Sequence, residues 1–235
     1  MGRFCLFLLS CLVLNLSAKE TNKTIIWDTV HYPPSLITDG PYKNQGFSDM
    51  SRELFMFRLK GYEHKIEAGS IQKAMQDIES NSNFCFVGLT RDKFKDKFIQ
   101  FSIPFIEILP NELVIRTSDL KRFKSYVGNN NSVNLHRLLQ NNGFNFGYVK
   151  NRKYTPYIDR LIFLNEEKKH LLSKEIKEGH NDIIQMLAID KFDYTIEYPS
   201  VLSFIKREKS VEEGFSKFLI QSADKLTKLY VGCSK

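Results

Sequence analysis

Three clusters of polar residues each follow an apolar, strand-like run in this sequence. Asp28, His31 and Tyr32 follow the first, Gly88 and Thr90 the second, and Lys150, Asn151, Arg152 and Lys153 the third. In open parallel sheets ligands bind beyond the carboxyl ends of strands, where loops run into helices. The third cluster lies just ahead of a helical pattern, and the backbone N–H groups of a helix start favour an anion such as a carboxylate. The chemistry these residues suggest is capture rather than turnover. No G-x-S-x-G elbow is present. The carboxylates Asp28, Asp49 and Glu197 are not paired by spacing for acid–base work. The histidines at 31, 64, 136, 170 and 180 lack metal-ligand spacing, so neither metal nor cofactor is expected.

The elements that must position these clusters alternate between strand and helix. Thr24 to Val30 is a β-branched strand, followed by a loop carrying His31-Tyr32-Pro33-Pro34 and Asp39-Gly40-Pro41. Ser48 or Asp49 is expected to cap a helix to about Lys60, with Leu54, Phe55, Phe57 and Leu59 as its apolar positions. Tyr62 to Ala68 reads as a strand. Ser70 caps a helix carrying Ile71, Ala74, Met75 and Ile78, and Phe84 to Leu89 is a third strand. This order implies a largely parallel sheet covered by helices, an α/β fold. Residues 106–116 read as a crossing strand. A second set follows: a helix capped by Ser132, a strand over 144–149, a helix from Tyr154 to about His170, and a short strand over 173–178. A helix over 181–190, a strand over 192–197, a helix opened by Pro199 and a last strand over 226–233 complete it.

The chain begins Met1-Gly2-Arg3, then runs apolar from Phe4 to Leu16 and ends in Ser17-Ala18. That is the pattern of a secretory leader over residues 1–18, too short for a comfortable membrane span. Leu8-Leu9-Ser10-Cys11 loosely resembles a lipoprotein cleavage box, although the apolar stretch continues past Cys11. The net charge of +7 is spread through mixed-sign segments such as Glu166-Glu167-Lys168-Lys169. With no dense basic tract, nucleic acid is not an expected partner, whereas an anionic solute is. Beyond the leader, Cys85 and Cys233 form an even pair in an exported chain. They read as a disulfide, with two buried thiols as the competing state.

Residues 85–105 carry a more specific pattern: Gly88-Leu89-Thr90, then Lys95 five residues on, then Phe101-Ser102-Ile103-Pro104-Phe105. This resembles the first-lobe ligand loop of bacterial periplasmic solute-binding proteins of the polar-amino-acid type. The resemblance implies two lobes, each a mostly parallel sheet flanked by helices, with a cleft between them. Residues 19–116 would form the first lobe, rejoined by 226–235, and 117–225 the second. It implies that Tyr32 lies over the ligand and that Gly88 and Thr90 donate hydrogen bonds to a carboxylate. A two-pronged arginine stands in the family where this chain has Lys95, a point charge without the fork. Either the ligand differs, or neighbouring Arg91 substitutes for it, or the site is weakened. Glu197 lies near the family's acidic residue for an α-amino group, and Asn151 and Arg152 sit at the second-lobe strand end.

The resemblance implies an exported, monomeric, non-enzymatic protein. It would hand a small polar or anionic, amino-acid-like solute to a membrane transporter or to a sensor. The family's acid-rich helix opening is reduced here to Ser48-Asp49, and relatives continue past the last strand. The competing expectation is therefore a truncated or degenerate member serving as an interaction module. An enzyme on the same scaffold is a further alternative. Bland readings also compete residue by residue: Tyr32 as a loop aromatic, Thr90 as a strand end, Lys95 in a solvated charge run, Glu197 as a surface carboxylate and Trp27 as core.

Overall fold

A computed structural model describes residues 23–149, 152–165, 167, 171–174, 181–209, 214–222 and 226–235. Residues 1–18, expected to be a leader, and Asn151 lie outside the described residues. Two six-stranded sheets organise the described residues.

In the first sheet β1 (Lys23–Thr29), β2 (Tyr62–Ala68) and β3 (Phe84–Leu89) run parallel, with α1 (Phe47–Arg58) and α2 (Ile71–Ser80) as crossovers. After β3 come β4 (Ile99–Phe101) and β5 (Ile106–Ile108). The last strand, β12 (Thr227–Ser234), enters between β3 and β4 antiparallel to both, and its first residues pair with β5. Cys85 and Cys233 face each other in that register and are disulfide-bonded.

The second sheet has the order β7-β11-β6-β10-β8-β9. Its chain order is β6 (Glu112–Arg116), α3 (Leu120–Phe123), β7 (Ser132–Val133), α4 (Leu135–Leu139), β8 (Phe146–Val149) and α5 (Pro156–Phe163). Then follow β9 (Leu171–Lys174), α6 (Asn181–Ala188), β10 (Tyr194–Glu197), α7 (Pro199–Lys209) and β11 (Phe215–Ile220). Large apolar clusters fill both of its faces, Leu113, Phe123, Phe146 and Tyr194 on one and Val114, Ile184, Leu187 and Ile205 on the other.

Several local expectations are corrected. Residues 106–116 are two strands in two sheets, broken at Leu109-Pro110-Asn111 where proline removes a ladder donor. The helix read from Tyr154 spans only Pro156–Phe163, with Thr155 capping it and Pro156 in its first turn. The helix given to Ser132 is capped by Asn134 instead, and Ser132 lies in β7. The short strand includes Leu171–Lys174, and residues 175–178 of the expected one lie outside the described residues. β11 has no counterpart in the sequence reading, because Phe215, Phe218, Leu219 and Ile220 keep no strict alternation.

The largest correction is α1. Its N-cap is Gly46, and Ser48 and Asp49 lie inside its first turn. The helix buries Ser48, Asp49 and Arg52, while Leu54 and Phe57, expected to face the core, are 53% and 64% exposed. Hydrogen bonding turns the polar side inward. Asp49 Oδ2 accepts from Ile37 N at 2.7 Å and Gly46 N at 3.2 Å, and Asp49 Oδ1 stands 3.0 Å from Arg52 Nη2. Ser48 Oγ meets Ser35 Oγ at 2.8 Å. Phe55 and Met56 continue this buried stripe one turn on, packing with Trp27, Cys85 and Val87. Trp27 is core, 2% exposed, as its competing reading has it.

Candidate functional site

The first-sheet half of the site begins at Gly88. Its φ of +101° is left-handed backbone, and a Cβ there would meet Ser48 Oγ at 2.8 Å. Both demands require glycine. The chain then leaves β3 through Thr90 into a turn closed by Lys95. Lys95 Nζ donates to Thr90 O at 2.8 Å and Thr90 Oγ1 at 3.3 Å, and stands 3.0 Å from Asp92 Oδ2. Its side chain is only 16% exposed, which the reading as a solvated charge run does not anticipate. Arg91 turns elsewhere: its Nε donates to Asp96 Oδ1 at 2.7 Å and its guanidinium lies 5.6 Å from the Phe101 ring. Thr90 and Lys95 are brought together, and Arg91 does not join them.

The second-sheet half is built round a buried ion pair. Glu197 ends β10 and is fully buried; the Arg152 side chain, ahead of α5, is 7% exposed. Arg152 Nη1 and Nη2 donate to the two carboxylate oxygens of Glu197, each at 2.6 Å, in a fork-to-fork pair. Arg152 Nη2 also donates to Asn111 Oδ1 at 3.3 Å, and Tyr198 N donates to Glu197 Oε1 at 2.8 Å. The guanidinium stands 4.5 Å from the Tyr154 ring and 5.6 Å from that of Tyr198. Burial disfavours the Arg152 cation, but the charge and hydrogen bonds of Glu197 prevail and raise its pKa well above the ordinary value. Burial pushes the Tyr154 hydroxyl up to about 12, with Arg152 opposing.

The two halves meet. Burial raises the Tyr32 phenol, opposed by the nearby positive charge of Arg152, and Glu197, Tyr198 and Tyr154 also act on it. Tyr32, in the loop after β1, therefore lies within electrostatic range of the second-sheet pair. Asp159, in the first turn of α5, is raised by burial while the backbone N–H of Tyr154 and the charges of Lys153, Arg152 and Lys95 hold it down. A second contact latches the halves farther out: Tyr42 lies edge-on to Phe204 at 6.4 Å, with Arg207 of α7 4.6 Å from the Tyr42 ring. Burial raises the Tyr198 phenol, while Arg152, Asn111 between β5 and β6, and Thr227 at the start of β12 act to lower it. Asn111 and Tyr198 were not singled out from sequence; a buried polar residue at a chain crossing leaves no periodic trace.

Asp28 does not face this cleft. It is 4% exposed on the α2 side of β1, and burial, then Asp77 and Glu67, raise its pKa from 3.8 to about 6 against the pull of Lys73. Its Oδ2 has no hydrogen-bond partner among the described residues. Between these two pH values the folded state holds a proton that the unfolded state has lost, so stability falls as pH rises through this window. The loss amounts to about 3 kcal/mol. Asp28→Asn is expected to remove that slope and to stabilise the protein at pH 7; urea midpoints measured from pH 4 to pH 7 check it.

No protein-family model matches the sequence, nor does any curated protein sequence. The fold does match solved structures: this is the two-lobed periplasmic-binding-protein-like fold. One similar structure, from Streptococcus mutans, concerns glutathione import through GshT and the cystine ABC importer TcyBC. Its TM-score is 0.66 at 15% identity, over 91% of this chain and 82% of that one. AbpA, an amino acid ABC transporter substrate-binding protein from Streptococcus pneumoniae bound to L-arginine, gives 0.63 at 15% over 91% and 82%. A histidine kinase sensor domain similar to periplasmic binding proteins gives 0.62 at 12% over 92% and 83%. Among the described residues no helix is long and apolar enough to cross a membrane.

Proposed function

We propose that this chain is an exported solute-binding protein that captures a small, carboxylate-bearing, amino-acid-like solute between its lobes. One observation carries the reading. The charges of Arg152 and Glu197 act on Tyr32, and that of Lys95 acts on Asp159, which supports a site that draws on both sheets. Closure of two lobes on a solute is the motion such an architecture performs. The similar solved structures come from importers of small solutes and from a sensor kinase, which supports delivery to a transporter or sensor. In this reading the leader over residues 1–18 directs export, the protein acts as a monomer, and no reaction occurs in the cleft.

The test is the melting temperature of residues 19–235 against amino acids, small carboxylates and short peptides. A solute at a hundred times its Kd stabilises by about 2.7 kcal/mol, a visible shift. Loss of that shift in Thr90→Ala and Lys95→Ala is the expected result. A folded protein with no shift across the panel would falsify the reading. One observation favours a second function, an interaction module without solute exchange: Arg152 and Glu197 already satisfy each other.

A further inference from the structure

We infer that the cleft contains a guanidinium receptor and that the chain fills it with its own Arg152. The receptor is recognisable once Arg152 is set apart from its surroundings. Glu197 offers both carboxylate oxygens, fixed at the end of β10, with Oε1 also held by Tyr198 N. Asn111 offers a third acceptor from the segment joining the sheets. Tyr154 and Tyr198 present ring faces to the cation. A planar cation with forked donors matches this set, whereas an ammonium point charge uses only part of it.

The receptor and its occupant differ in how they are held. Glu197 and Tyr198 span the junction of β10 and α7, two regular elements, and Tyr198 N holds Glu197 Oε1. Arg152 comes from the irregular stretch between β8 and α5. Sites built on regular elements keep their geometry better than those on loops. Removing the Arg152 side chain therefore leaves a shaped, charged cavity that a free guanidinium ion or alkylguanidinium can enter. In the wild-type protein Arg152 is already engaged by Glu197, so a solute's anionic group is directed to the Lys95 side of the cleft.

The inference rests on the solute-binding reading only for the identity of the cleft, and its test needs no solute. Arg152→Ala is melted in low-millimolar guanidinium or methylguanidinium chloride, with sodium chloride and urea as matched controls. The expected result is a melting temperature below wild type that rises saturably with either guanidinium and with neither control. Wild type, and Arg152→Ala combined with Glu197→Gln, should show no such rise. Should Arg152→Ala not fold unaided, recovery of folded protein on refolding in guanidinium against sodium is the readout. Equal behaviour in guanidinium and sodium, by melting or by recovery, overturns the inference; so does an equal rise in wild type. A silent solute panel with a successful rescue rejects the solute reading alone.

Discussion

Unfolding of a Cys85→Ala/Cys233→Ala variant in urea is expected to show a loss of roughly 4–5 kcal/mol relative to the oxidised protein. The bond closes a loop with a sequence separation of 148 residues, so its absence returns a large conformational freedom to the unfolded chain. It also joins β3 to β12 where their residues face each other across the ladder. The first sheet depends on that joint more than the second would. On the α1 face its fully enclosed apolar residues are Trp27, Cys85 and Val87, whereas each face of the second sheet has an extended cluster. Reduction of the wild-type protein should reproduce the variant's midpoint. An unchanged midpoint on removal of both cysteines would show that β12 is held by its ladder and side chains alone.

The second large effect is expected at Asp49. Asp49 and Arg52 are each 1% exposed, and Asp49 also accepts from Ile37 N and Gly46 N. Asp49→Ala leaves Arg52 buried beside no countercharge and strips two backbone donors of their acceptor. A loss of about 3–5 kcal/mol follows. Replacing both residues by apolar ones, Asp49→Leu with Arg52→Met, should recover part of it, because the isolated charge is then gone. Thermal melts of the three proteins decide the matter, and a single variant that melts with wild type sinks the argument.

That ion pair also explains what the sequence conceals. Strand–helix alternation, the leader-like start, the closely spaced residues from Gly88 to Lys95 and the two cysteines are local patterns, and a reader can find them. The periodicity of α1 is equally visible, but it points the wrong way. Leu54 and Phe57 look like core, while Ser48, Asp49 and Arg52 look like surface. What reverses them is a set of hydrogen bonds to Ser35 and Ile37, in a loop whose path no pattern fixes. The cleft poses the same problem. Arg152 and Glu197 are 45 residues apart, each legible as a residue that meets a ligand. That each is the other's partner depends on β8 and β10 lying side by side. The turn at Lys95 lies between, since its spacing to Thr90 is visible and its inward fold is not.

The place of β12 has a consequence for how the chain is made. Strands β6 to β11 form a continuous stretch, Glu112 to Ile220, and need nothing outside it to complete their sheet. The first sheet is different. β4 reaches β3 only through β12, which spans Thr227–Ser234. A chain emerging from its N-terminus therefore carries an unfinished sheet, with one side of β3 unpaired, until β12 arrives. The order of assembly is thereby set: the later-made half closes first, and the earlier-made half waits for the tail. During that interval the open edge of β3 can pair with any other extended segment that reaches it, so β12 protects as well as completes the first sheet.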